Sequence, residues 1–96
     1  MVARVTTFDG GTADGIRAAV EQMQADIPKG PPEGLRTTGL TMLVDPDGGR
    51  VMMIGLFASE EDLRASEPAL EEMSPPEGMG KRSSVAVFEV GADVRA

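Results

Sequence analysis

The chain has 96 residues, of which 41% are hydrophobic and 26% charged, a globular balance with room for one core over residues 1–96. Its net charge is −7, and its seven Arg and two Lys are scattered, with only Lys81 and Arg82 adjacent, which argues against nucleic acid or an anionic membrane surface as a partner. It contains no His, Cys, Trp, Tyr or Asn, which excludes imidazole bases, Ser–His and Cys–His nucleophile pairs, disulfides, and imidazole or thiolate ligation of zinc, copper or haem iron.

Val2 to Phe8 (VARVTTF) is β-branched and aromatic up to the breaker Asp9-Gly10-Gly11 and reads as a strand rather than a signal peptide. Thr12 stands where an N-cap belongs, with Asp14 in the first turn. Ile16, Val20, Met23 and Ile27 then recur on one helical face until Pro28 and the stretch Lys29 to Gly34 end the helix. Leu35 to Val44 is the second strand and Arg50 to Ala58 the third, joined as a hairpin by Asp45-Pro46-Asp47-Gly48-Gly49, whose glycines supply positive φ. Ser59-Glu60-Glu61-Asp62 opens a second helix with a weak capping box. Leu63, Leu70 and Met73 form its apolar face with Ser66 between them, and Pro68 predicts a break near Glu67. Pro75-Pro76-Glu77-Gly78 stops that helix, Ser83 to Val90 is the fourth strand, and Gly91 to Ala96 a short tail.

The order β-α-β-β-α-β predicts an α+β, ferredoxin-like fold: a four-stranded antiparallel sheet with two helices on one face. The hairpin strands are apolar at nearly every position from Leu40 to Val44 and from Val51 to Phe57, so both faces of the sheet need cover. Two helices cover one face, and a chain this short buries only about two thirds of its unfolded surface. A second copy packed on the other face, a homodimer, is the expected solution. No apolar run approaches a membrane span, so a cytoplasmic location is expected, with no membrane partner.

The segment Gly55-Leu56-Phe57-Ala58-Ser59-Glu60-Glu61-Asp62-Leu63-Arg64-Ala65-Ser66 resembles the third-strand-to-second-helix signature of the antibiotic-biosynthesis-monooxygenase-like family. With the element order, the likeness spans nearly the whole chain. It implies a dimeric α/β barrel in which two such sheets pack face to face. In quinone-forming or haem-degrading members the working groups include an Asn on the first strand, a Trp at the end of the third, and a His on the second helix. Here Thr6 and Thr7 stand on the first strand, Phe57 in the Trp position, and Ser66 or Glu67 in the His region, so all three chemical handles are replaced.

Seven methionines are many for this length. Met42, Met52 and Met53 on the central strands suit either a pliable pocket or adaptable core filling. Arg4 and Arg36, with Thr6, Thr38 and Thr41, are polar groups on apolar strands; such an arginine either anchors a carboxylate or snorkels to pair with an acid. The runs Glu60-Glu61-Asp62 and Glu71-Glu72 read as solvated helix surface, and the Gly10-Gly11 and Gly48-Gly49 pairs as turns without a phosphate-binding fingerprint. The leading expectation is a homodimer that holds a small apolar or aromatic ligand between sheet and helices, at Thr6, Met42, Met53, Phe57 and Phe88, with no metal and no cofactor. The alternatives are a cofactor-independent monooxygenase or isomerase working through Arg36, Ser66 and Glu67, and a regulatory or structural partner domain.

Overall fold

The computed structural model describes residues 1–30, 33–72 and 78–94. Strand β1 (Val2–Gly10) sends side chains to opposite faces in turn. Val2, Thr6 and Phe8 lie buried beneath the helices, with Arg4 on the same face, while Ala3, Val5 and Thr7 point the other way.

Helix α1 (Ala13–Asp26) begins as its sequence dictates: Thr12 is extended, and its hydroxyl oxygen accepts the Gly15 N–H at 3.0 Å. Ile16 and Ala19 are fully buried and Met23 half-buried. Ile27 was expected on that face but is 68% exposed, because the chain tightens there into a short 3₁₀ turn, Ile27–Lys29, around Pro28.

Strand β2 (Gly39–Asp45) starts later than the expected Leu35. The intervening polar groups are used elsewhere: the Arg36 N–H donates to Ser66 Oγ at 2.7 Å, and the Thr37 hydroxyl donates to the Leu56 carbonyl at 2.7 Å. A turn closed by the Gly48 N–H donating to Asp45 Oδ1 leads into β3 (Arg50–Phe57); of the turn glycines only Gly49 has positive φ.

Helix α2 (Glu60–Glu72) carries half a capping box: Ser59 Oγ accepts the Asp62 N–H at 3.2 Å, while the Asp62 carboxylate turns to Arg36 at 3.8 Å. The break expected near Glu67 does not occur. Pro68 lies inside the helix on its exposed side, where the cost is one backbone hydrogen bond at the solvent edge, and Leu63, Ser66 and Leu70 hold the inner side in place. Met73 and Pro75–Glu77 fall outside the described residues. Strand β4 (Gly80–Glu89) begins before the expected Ser83. No helix among the described residues is long and apolar enough to cross a membrane.

The sheet is antiparallel throughout, in the order β2-β3-β1-β4, and both helices lie on one side of it. This is the expected ferredoxin-like βαββαβ architecture. Directly opposed residues share a face, so the pairings Leu43 with Met52, Val5 with Ile54, Ala3 with Leu56 and Ala3 with Phe88 build one continuous apolar surface on the side without helices. On it Leu43 is 50%, Met52 36% and Phe88 55% exposed.

At one end of the sheet, three connections meet backbone to backbone. The Gly11 N–H donates to the Gly49 carbonyl and the Thr12 N–H to the Gly78 carbonyl, both at 3.0 Å. A Cβ on Gly15 would lie 2.6 Å from the Gly78 Cα, and Gly78 itself has φ +93°, so both positions need glycine.

Candidate functional site

The core beneath the helices is divided in two. One cluster, Phe8, Ile16, Ala19, Val51 and Met79, packs under α1; the other, Val2, Phe57 and Leu63, packs against α2. Side chains of native proteins normally close such gaps to crystal-like density. Here the gap between the clusters stays open as a cavity of about 490 Å³, within the range of small-molecule sites.

Its floor is the helix-facing side of the three strands on the β2 side of the sheet: Arg4, Thr6 and Phe8 of β1, Leu40 and Met42 of β2, and Met53, Gly55 and Phe57 of β3. Ala19, Gln22, Met23 and Asp26 form the α1 wall, Leu70 and Glu71 the α2 wall, and Leu35, Met79 and Arg82 complete the lining. Gly55 makes room in the floor, since a Cβ there would approach the Phe57 ring to 3.2 Å. Thioethers and two aromatic rings dominate the inner surface, giving walls that adapt to a flat or irregular apolar body.

The polar groups gather at one side. Arg4 has a side chain only 14% exposed, and its Nη1 donates to Thr6 Oγ1 at 3.0 Å. One oxygen of Glu71, Oε1, lies 4.0 Å from a guanidinium nitrogen of Arg4 and 4.0 Å from one of Arg82. Asp26 is accounted for separately: hydrogen bonds from Gln22 and then from Lys29 hold its carboxyl below the usual aspartate value. Among the described residues no group of three or more His, Cys, Asp or Glu is placed to hold a metal ion.

Of the residues singled out in the sequence, Thr6, Met42, Met53 and Phe57 all line this one cavity. Phe88 does not. It pairs with Ala3 on the opposite face of the sheet, so it is no wall of the cavity; Val87, paired with Arg4, has the inward parity instead. The three residues proposed for catalysis also lie elsewhere. Arg36 is exposed and pairs with Asp62. Ser66 is fully buried, and its hydroxyl is committed twice, accepting from the Arg36 N–H and donating to the Asp62 carbonyl at 2.8 Å. Glu67, one residue further round the helix, is exposed to solvent.

Sequence reasoning missed Arg82 and misjudged Glu71. Arg82 reaches the cavity because β4 pairs with β1 and places it opposite Phe8, beside a register shift between Thr7 and Phe8. That long-range pairing leaves no local signal. Glu71 was read as plain helix surface; it is largely exposed, yet its carboxylate faces two arginines.

No family model matches the chain, and no curated protein matches it. Among solved structures, a crystal structure of a mutant of MhuD with two manganese protoporphyrin IX molecules bound per active site matches with a TM-score of 0.61 and 19% sequence identity, covering 100% of each chain. The chain thus shares the ferredoxin-type fold of MhuD.

Proposed function

We propose that this chain is a ligand-holding protein that binds a small apolar or aromatic molecule in the cavity between sheet and helices, and that two copies pack their open sheet faces together as a dimeric α/β barrel. One observation carries the reading: the core is left in two pieces around a largely apolar space of about 490 Å³. The space opens to solvent, so its apolar lining stays wet, and a guest that covers it gains the free energy of that burial. The porphyrins bound by the MhuD mutant support a flat apolar guest in the same architecture.

Holding is favoured over turnover by where the reactive groups are. Arg36, Ser66 and Glu67, the residues an oxygenase reading would use, are not among the cavity lining. The chain also lacks any imidazole, thiolate or phenolate with which to ligate a haem iron, which leaves the methionine thioethers of the lining as the soft donors toward one.

The test is a thermal-shift and native mass spectrometry screen of quinones, polyketides and fatty acids. Binding should raise the unfolding midpoint by mass action. Gly55→Val, which fills the cavity floor, should abolish that shift. Absence of binding by the unaltered protein across the panel overturns the ligand part of the reading, and a monomer at tens of micromolar overturns the dimer.

A further inference from the structure

Resting on that ligand-holding reading, we propose that the guest carries a carboxylate and that Arg4 and Arg82 recognise it, with Glu71 as the competing internal anion. The chain has nine cationic side chains against sixteen acids, yet two of the nine converge on one side of an apolar cavity. Arg4 is the unusual one. A guanidinium with a side chain 14% exposed has lost most of its water, and a desolvated charge needs partners.

The partners that the protein supplies are incomplete. Two guanidiniums offer about ten N–H donors. Among the described residues, Arg4 makes one hydrogen bond, to Thr6, and Arg82 makes none. Glu71 Oε1 stands at 4.0 Å from each, near enough to balance one charge but too far to hydrogen-bond. Asp26, the other acid of the lining, is engaged with Lys29 and Gln22. Among the described residues, two positive charges against one negative leave a surplus of one in a lining that includes Met42, Met53 and Phe57.

A carboxylate on an apolar body meets both halves of this arrangement. Its body fills the space between the two core clusters, and its oxygens accept the hydrogen bonds that Glu71 is too distant to take. Paired guanidinium–carboxylate hydrogen bonds are shorter and stronger than neutral ones, which makes the head group the source of selectivity. A neutral molecule of the same shape would gain the apolar contacts and leave Arg4 underserved.

Fluorescence titration with 1-pyrenebutyrate and with its methyl ester separates the two claims. The acid should bind at least about tenfold more tightly than the ester. Arg4→Gln should cost the acid about tenfold and leave the ester unchanged, and Arg82→Gln, at a more exposed position that folding tolerates, should do the same to a lesser degree. Glu71→Gln should tighten the acid about threefold by removing the competitor, whereas Glu72→Gln, which removes the same charge from the same turn without touching the cavity, should not. Equal affinity for acid and ester in the unaltered protein overturns the carboxylate inference and leaves the ligand-holding reading standing. Failure of both compounds to bind overturns the two together. Equal effects of Glu71→Gln and Glu72→Gln would show diffuse charge rather than a placed head group, and would also overturn the inference.

Discussion

The two faces of the sheet are built from the same strands and solve opposite problems. On the helix side, Phe57 and Val51 of β3 are 1% exposed and packed in two separate clusters, and a cavity with an ionic side remains between them. On the other side, the neighbouring residues of the same strand, Met52, Ile54 and Leu56, form an apolar stripe with Leu43, Val5 and Phe88, edged by Thr7, Thr41 and Ser84. The first face is stabilised within one chain and kept imperfect. The second is nearly free of charge, and monomeric proteins seldom leave so much contiguous apolar surface in water. An unfilled interior beside an over-apolar exterior is the pattern expected when one face serves a guest and the other a partner.

The largest effect belongs to the helix face. Phe57→Ala removes a fully buried ring that supports both the α2 cluster and the cavity floor. It should cost about 3–5 kcal/mol in chemical denaturation, and the loss should not depend on protein concentration. On the open face, Met52→Asp should leave the unimolecular stability within about 1 kcal/mol, since Met52 is 36% exposed in the single chain. Its effect should appear in association: sedimentation equilibrium should show the dissociation constant of the proposed dimer raised by about a hundredfold, from one unpaired charge placed in the proposed apolar interface. A Met52→Asp protein that is as dimeric as its parent would place the interface elsewhere and dissolve the contrast between the faces.

Much of this division was legible in the sequence, for reasons particular to certain residues. Thr6, Met42, Met53 and Phe57 fall on one face because strand alternation is local and strict, and each lies on a regular stretch of strand. Phe88 was misplaced because its parity depends on β4's pairing with β1, which carries a register shift between Thr7 and Phe8; one residue of slip exchanges the faces. The same long-range pairing hid Arg82. Ser66 drew attention because it falls in the His region of the family that the chain resembles, and in the structure it is fully buried with its hydroxyl already committed. Its hydroxyl ties the loop at Arg36 to α2, work that no spacing within either segment reveals. Pro68 shows the limit of a propensity argument: one lost hydrogen bond on an exposed side does not outweigh the packing of Leu63, Ser66 and Leu70 beneath it.

The smallest expected effect distinguishes the faces by titration. Asp26 lines the cavity, and Asp45 ends β2 on the open face, where it pairs with Arg50 at 2.9 Å. Both carboxyls are held below the ordinary aspartate value, Asp26 chiefly by the Gln22 amide and Asp45 chiefly by the Arg50 guanidinium, followed by the Gly48 N–H. A carboxyl whose value is lowered on folding stabilises the fold above its unfolded value and loses that contribution as pH falls through its folded one. Asp45→Asn keeps an oxygen to accept the Gly48 N–H and deletes only the charge. Its unfolding midpoint should therefore lie slightly below the parent's at neutral pH and converge with it as pH falls through the lowered value of Asp45 in the folded protein. Carbon-detected NMR titration sharpens the contrast once a carboxylate guest is added. An anion in the cavity disfavours a second negative charge nearby, so the midpoint of Asp26 should rise on binding, while that of Asp45, across the sheet, should stay where it was. Equal movement of both would mean that the guest sits on the open face, and that the surface assigned here to a second copy is the one that binds it.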